Sequence, residues 1–279
     1  HMRTSDPAIY AVGDAVQVRD AVVHAPVFVP LAGPANRQAR IAADNIFGRD
    51  STFRGVQGTA ICRVFEVSVA STGLSEKSLK ARAIPYRKTY VLPMHHVGYF
   101  PGATQMTIKL LFSPEDGRVL GAQIVGGEGV DKRIDVIALA IQARMTVEDL
   151  EEVELAYAPQ FGAAKDPVNL AGFVATNILR GDDEVAYAED VGPDPASRYT
   201  VLDVRSESEY EADHINGSLL IPLPELRRRW TEIPKDRPVL VHCAAGQRAY
   251  YAARFLRQQG VACKNLSGGM KVYRYVHPK

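Results

Sequence analysis

The sequence predicts an α/β chain of two domains, and three observations carry that prediction. A length of 279 residues fits about two domains. Apolar content of 46% and charged content of 23% are those of an ordinary core-forming protein. Strand and helix patterns alternate along the chain, and an acidic, proline-bearing stretch from Gly181 to Pro195 reads as a linker between two blocks.

Taken in order, Ala8 to Ala15 reads as a buried strand ending in the turn Gly13-Asp14. Asn36 to Ile46 predicts a helix with Ile41, Asn45 and Ile46 near one face. Gly58 to Ala70 alternates in part and predicts one strand, with Cys62 in the core. A short helix, Ser75 to Ala81, and a strand, Tyr90 to Leu92, come next. Met106 to Phe112 and Val119 to Val125 flank the turn-rich Ser113 to Gly117, a hairpin signal. Lys132 to Ala143 is apolar at helical spacing through Ile134, Ile137, Ala138 and Ile141. Thr146 to Asp149 has the pattern of a capping box.

Composition excludes several classes of function. A formal net charge of +1 gives no electrostatic case for nucleic acid. Three cysteines, Cys62, Cys243 and Cys263, form no CxxC pair and no disulfide framework, which points to a reducing, cytoplasmic setting. No signal peptide and no run long enough to span a bilayer is visible, so no membrane partner is expected. His95-His96 has no carboxylate or cysteine at ligand spacing, so no metal site is expected. His1-Met2 reads as a cloning remnant.

The chemistry concentrates in Val239-Leu-Val-His-Cys243-Ala-Ala-Gly246-Gln-Arg248. A short β-branched strand delivers Cys243 into a tight loop, and a helix starts directly behind it. Loop N–H groups and the helix N-terminus then favour an anion at the sulfur. Gly246 can take backbone angles that let the turn close, and Arg248 can brace the loop and add positive charge. Ala244, Ala245 and Gln247 are uncharged, so the pocket suits a persulfide carrier better than a compact dianion. Four residues separate the cysteine from the arginine, one fewer than a phosphate-sized loop needs.

This segment resembles the active loop of rhodaneses. Leu202-Asp203-Val204-Arg205, Glu209-Tyr210, His214 to Ser218 and Leu266 to Gly269 extend the likeness in the family's order. The resemblance implies a central parallel sheet and a sulfurtransferase site. A non-catalytic binding module on a dimerisation scaffold is the alternative. His242 could support the loop or tune the thiolate, Asp203 and Arg205 brace it from below, and Cys263 reads as a small core residue. Arg227-Arg228-Arg229 reads as a solvated face, with a coenzyme A phosphate site as the sharper alternative.

The rest resembles the pyridine-nucleotide-disulfide oxidoreductases. The turn at Gly13 and Asp14 before a helix is similar to the last segment of their FAD domain, where the aspartate contacts a flavin hydroxyl. His95 to Gly102 and Tyr157 to Asn169 look like the coenzyme A-disulfide and persulfide reductases, some of which carry a rhodanese domain. That likeness makes Tyr99 and Tyr157 the tyrosines that reach across a homodimer toward a substrate disulfide. A phenol could donate a hydrogen bond to the sulfur anion as the disulfide is cleaved. It also implies FAD, coenzyme A and small persulfide, polysulfide or coenzyme A thiol substrates. No G-x-G-x-x-G follows an early strand, so the chain resembles the C-terminal part of a longer flavoprotein and is not expected to retain FAD alone. The expected division is residues 1–50 as an FAD-domain remnant, 51–178 as dimerisation domain, 179–198 as linker and 199–279 as rhodanese-like domain.

Overall fold

The computed structural model describes residues 1–279. The N-terminal segment holds a two-residue antiparallel ribbon, β1 (Val18–Arg19) with β2 (Pro26–Val27), and the helix α1 (Ala32–Ile46). The expected strand from Ala8 to Ala15 does not form. Ile9 and Val12 are exposed at 53% and 39%, and the segment pairs only through the Arg3–Tyr10 bridge. No sheet edge faces these residues, so their apolar run has nothing to add to. In α1 the buried positions are Gln38 and Ala42, whereas Ile46 is exposed, so the packed face is rotated from the expected one.

The middle unit is an antiparallel sheet packed against helices. Its strands are β3 (Ala60–Val64), β4 (Val67–Gly73), β5 (Arg87–Val91), β6 (Met106–Phe112) and β7 (Val119–Gly126), in the order β3-β4-β7-β6-β5. The short helix α2 (Glu76–Ala81) is capped by Ser75. The helices α3 (Val130–Gln142), α4 (Val147–Glu152) and α5 (Pro167–Leu179) complete the unit. Alternation on β6 and β7 sends Ile108, Leu110, Ala122 and Ile124 into one core with Ile134, Ile137 and Ile141 of α3. Thr146 and Asp149 make the expected capping box at α4. The single strand expected over 58–70 is a hairpin instead. Phe65 takes φ +52° in its two-residue turn, a position that carries no glycine or asparagine to betray it. Cys62 lies on the uncovered edge strand β3 and is exposed, not core.

The C-terminal unit is a parallel sheet covered on both faces, the α/β half of the expected fold. Its elements are β8 (Val185–Ala186), α6 (Ala188–Val191), β9 (Thr200–Asp203), α7 (Glu207–Ala212), β10 (Leu219–Leu220) and α8 (Leu223–Arg229). They continue as β11 (Val239–His242), α9 (Gln247–Gln258), β12 (Cys263–Leu266) and α10 (Gly269–Val276). The order is β10-β9-β11-β12-β8, with β11 and its loop at the centre. The stretch expected as a linker is therefore part of this fold: β8 pairs with β12, and Ala188 and Val191 enter the core.

The edge strand β5 docks the two units together. Lys88 is buried and pairs with Glu76 of the middle unit at 2.9 Å and with Glu189 of the C-terminal unit. Tyr187 donates its hydroxyl to the Lys88 carbonyl at 2.6 Å, and the Tyr90 N–H donates to Ser267 Oγ at 3.2 Å. The Ser267 contact ties β5 to the turn beside the cysteine loop.

Candidate functional site

Cys243 stands where β11 ends and α9 begins, as the sequence pattern requires. The Gly246 N–H donates to its Sγ at 3.2 Å, and Gly246 takes φ +102° to do so. One loop N–H, rather than several, reaches the sulfur. Cys243 itself is 2% exposed, with Ala244 and Ala245 half-buried above it and Gln247 exposed. The loop is held from behind by α10. The N–H groups of Met270 and Lys271 donate to the carbonyls of Cys243 and Ala244 at 2.8 and 3.1 Å. That contact needs Gly268 and Gly269, with φ +76° and +57°, because a Cβ at 269 would run into the Cys243 carbonyl.

Arg248, at the start of α9, is engaged by Glu209. Both terminal nitrogens donate to Glu209 of α7 at 2.7 Å, a bidentate pair. The pair holds the Glu209 carboxyl down at about 2 and pushes the guanidinium up, with the Cys243 sulfur adding to the second effect. In the sequence, only the Glu209-Tyr210 pair hints at this partner. Below the loop, Arg205 pairs with Asp203 at 2.7 Å, both buried, and His242 Nε2 stands 3.6 Å from Asp203. Burial pushes the His242 imidazole down to about 4, and neither ring nitrogen has a hydrogen-bond partner. His242 is thus a neutral part of the scaffold, and Arg205 also donates to the Asp213 carbonyl at 2.5 Å, so the Asp203–Arg205 pair ties β9 to the end of α7.

Two clefts between the units meet at this loop. Ala245, Gly246 and Gln247 line one of about 520 Å³, faced by Tyr90 to Met94 and by α5. Ala244 lines an open one of about 730 Å³, together with the basic residues Lys271 and Arg274 of α10. Arg274 is neutralised by Asp213 at 2.7 Å, while Lys271 contacts the neutral Gln105.

Tyr99 and Tyr157, far apart in sequence, come together with their hydroxyls 3.3 Å apart. That bond pushes the Tyr157 phenol up. Their loops are joined by the Val97 N–H to the Gly162 carbonyl at 3.0 Å. Beneath them the buried Arg133 binds Asp166 and the His95 carbonyl, each at 2.8 Å, and Asp166 also caps α5. Arg133 carries no sequence signal apart from its place on α3. The pair is 77% and 45% exposed, and neither tyrosine lines a cleft beside Cys243. The two candidate centres are therefore separate within one chain.

The remaining candidates have other roles. His95 and His96 bond to local backbone, and no group of three metal-ligating side chains exists. Cys263 is buried behind α9, and burial pushes its thiol up. Arg229 pairs with Glu225 and Glu232, and Arg227 lies 4.8 Å over the Phe255 ring, as a solvated face would. Gly13 does form a turn, but its N–H is held by Gln38 Oε1 at 2.7 Å and Asp14 is exposed. Asp14 could accept a hydrogen bond from a flavin hydroxyl on one side. These residues alone do not enclose a flavin.

The comparisons agree with this architecture. The sequence matches the pyridine nucleotide-disulphide oxidoreductase dimerisation domain over residues 59–166 and the rhodanese-like domain over residues 189–275. The reduced CoADR-RHD of Bacillus anthracis superposes with a TM-score of 0.95 at 46% identity, covering 99% of this chain and 50% of that one. The NAD-dependent persulfide reductase of A. fulgidus gives 0.90 at 38% identity, covering 98% and 49%. Coenzyme A disulfide reductase of Staphylococcus aureus is 37% identical over 175 residues, 62% of this chain and 40% of the relative. The chain thus spans at most about half the length of these relatives. Its middle unit matches the dimerisation domain of the pyridine nucleotide-disulphide oxidoreductases. Over nearly its whole length it is similar to parts of a CoADR-RHD and a persulfide reductase, and residues 189–275 match the rhodanese-like domain.

Proposed function

We propose that Cys243 carries sulfane sulfur as a persulfide, for a protein that reduces coenzyme A disulfide or a related persulfide. The observation that supports this most directly is the Gly246 N–H on the Cys243 sulfur at the N-terminus of α9. The Cys243 thiolate attacks the outer sulfur of a donor R–S–SH. The donor's S–S bond breaks, its inner sulfur leaves as a thiolate with the bonding pair, and Cys243–S–SH forms. An acceptor thiolate repeats the exchange on the outer sulfur and releases Cys243, so no net oxidation occurs. Gly246 and the charge of Arg248 stabilise the sulfur anion at both ends of the cycle.

Flavin chemistry, where FAD is bound, would serve the reductive half, with NADH or NADPH as electron source. Tyr99 and Tyr157 are proposed to meet the substrate disulfide there. The proposed assembly is a homodimer. Its supporting feature is the apolar surface of the uncovered hairpin, where Ile61, Val64 and Phe65 are exposed at 52%, 53% and 92%.

A second reading has its own support. With Cys243 buried and Arg248 engaged by Glu209, the domain could be a binding module that transfers nothing. Sulfur transfer by the chain and by Cys243→Ser, with persulfide and thiosulfate donors side by side, separates the two. Persulfide turnover that vanishes in the variant supports the carrier. No turnover with either donor, in a folded dimer, leaves the binding module.

A further inference from the structure

The turn that grips the cysteine loop from behind is itself gripped by the other unit. Met270 and Lys271, at the start of α10, donate their N–H groups to the carbonyls of Cys243 and Ala244. Two contacts from the middle unit bracket that turn. β5 is an edge strand, and such a strand presents outward N–H groups with no partner strand. The one on Tyr90 donates to Ser267 Oγ at 3.2 Å, immediately before the glycine pair. On the far side of the turn, Lys271 Nζ donates to Oε1 of Gln105, which directly precedes β6. Gln105 is fixed in its turn, because its Nε2 donates to the Leu92 carbonyl at 2.8 Å. Between these contacts, a Cβ at Gly268 would stand 3.1 Å from that of Tyr90, so strand and turn meet closely. The C-terminal sheet is complete without β5, and its core does not need these contacts to close. They act on the loop.

We propose that docking of the middle unit sets the geometry of the cysteine loop, with Ser267 and Lys271 as positioning residues anchored by Tyr90 and Gln105. They act through the Cys243 and Ala244 carbonyls, which fix where the Gly246 N–H meets the sulfur. Their effect on sulfur transfer rests on the carrier reading above. Their effect on the loop does not. The site of one unit is then fully formed only when the other unit is docked against it.

The test compares the full chain with Ser267→Ala and Gln105→Leu, and with Ser267→Thr and Gln105→Glu, which keep an acceptor in place. Sulfur transfer from a persulfide donor and backbone hydrogen exchange are measured on each. Gln105 is half-buried and lies outside the C-terminal unit, so its variants provide a readout even if a change at the buried Ser267 prevents folding. The expected kcat is about fivefold lower in Ser267→Ala and in Gln105→Leu, the scale of one hydrogen bond, and close to the parent value in the conservative pair. Exchange over 268–272 should quicken by a similar factor in the two disruptive variants, while β11 exchanges as in the parent chain. Unchanged exchange over 268–272, or an equal increase across β11, would overturn the coupling whatever the turnover. A loss of kcat that the conservative variants fail to restore would overturn it as well. Faster exchange confined to the turn, without transfer by any of the chains, would keep the coupling and remove the carrier reading instead.

Discussion

A methyl group at position 269 would meet the carbonyl of Cys243 and the backbone of Ala244 and Ala245. Gly269 also sits at φ +57°, where side chains are strained. Gly269→Ala should therefore abolish sulfur transfer while leaving the helical content intact, as circular dichroism would show. Retained turnover would mean that the α10 contact does not set the loop. Glu209→Gln removes the charge that holds Arg248. The expected loss is about tenfold in turnover, with a stability change of no more than ~1 kcal/mol because the pair is partly solvated. The sequence made Cys243 and Arg248 legible as candidates, since both lie within one short motif. Glu209 and Lys271 were not legible as site residues, because only the fold brings α7 and α10 to the loop. Tyr99 and Tyr157 were legible by family likeness alone, and their support from Arg133 and Asp166 needed coordinates.

Two buried groups give the C-terminal sheet opposing responses to acid. His242 on β11 stays neutral down to about 4 in the fold against 6.5 in the free state. Unfolding gains a proton across that interval, so this group makes stability fall as pH drops from 6.5 to 4. Asp183, just before β8, is pushed from 3.8 up to about 6, chiefly by burial. The fold then holds a proton the unfolded chain has lost, and this group makes stability rise as pH drops through the same range. The two effects offset. Asp183→Asn should expose the histidine, giving a melting temperature that falls more steeply from pH 6.5 to 4 than in the parent chain. Parallel melting profiles would contradict the assignment. At this scale the sequence was clearest where pattern and packing agree, as in β6, β7, α3 and the capping box of α4. It failed where pairing partners decide. The segment before Gly13 found no sheet, and β3 and β4 turned at Phe65 without a turn residue. The stretch around β8 carried only two strand residues in a polar context, too few to show as a strand.

The molecule's two units are locked by a buried charge. Lys88 lies between Glu76 and Glu189, and these neighbours hold its ammonium proton more tightly despite burial. Lys88→Met should cost on the order of 3 kcal/mol of docking, the low end for breaking a buried pair. Limited proteolysis near Gly181 would then speed up, whereas an unchanged rate would place the docking energy elsewhere. On the open side, Ile61→Glu with Phe65→Glu should turn the proposed dimer into a monomer by light scattering. A dimer that survives would move the interface off the hairpin. The central claim is that sulfur rides on Cys243, and the presence of an exposed Cys62 makes the claim sharp. The most direct measurement is mass spectrometry of the full chain after brief exposure to a persulfide donor, with the modified peptide sequenced. One added sulfur atom on the Cys243 peptide, absent in Cys243→Ser and removed by an acceptor thiol, is the expected result. Sulfur on Cys62 alone, or on neither, would contradict it.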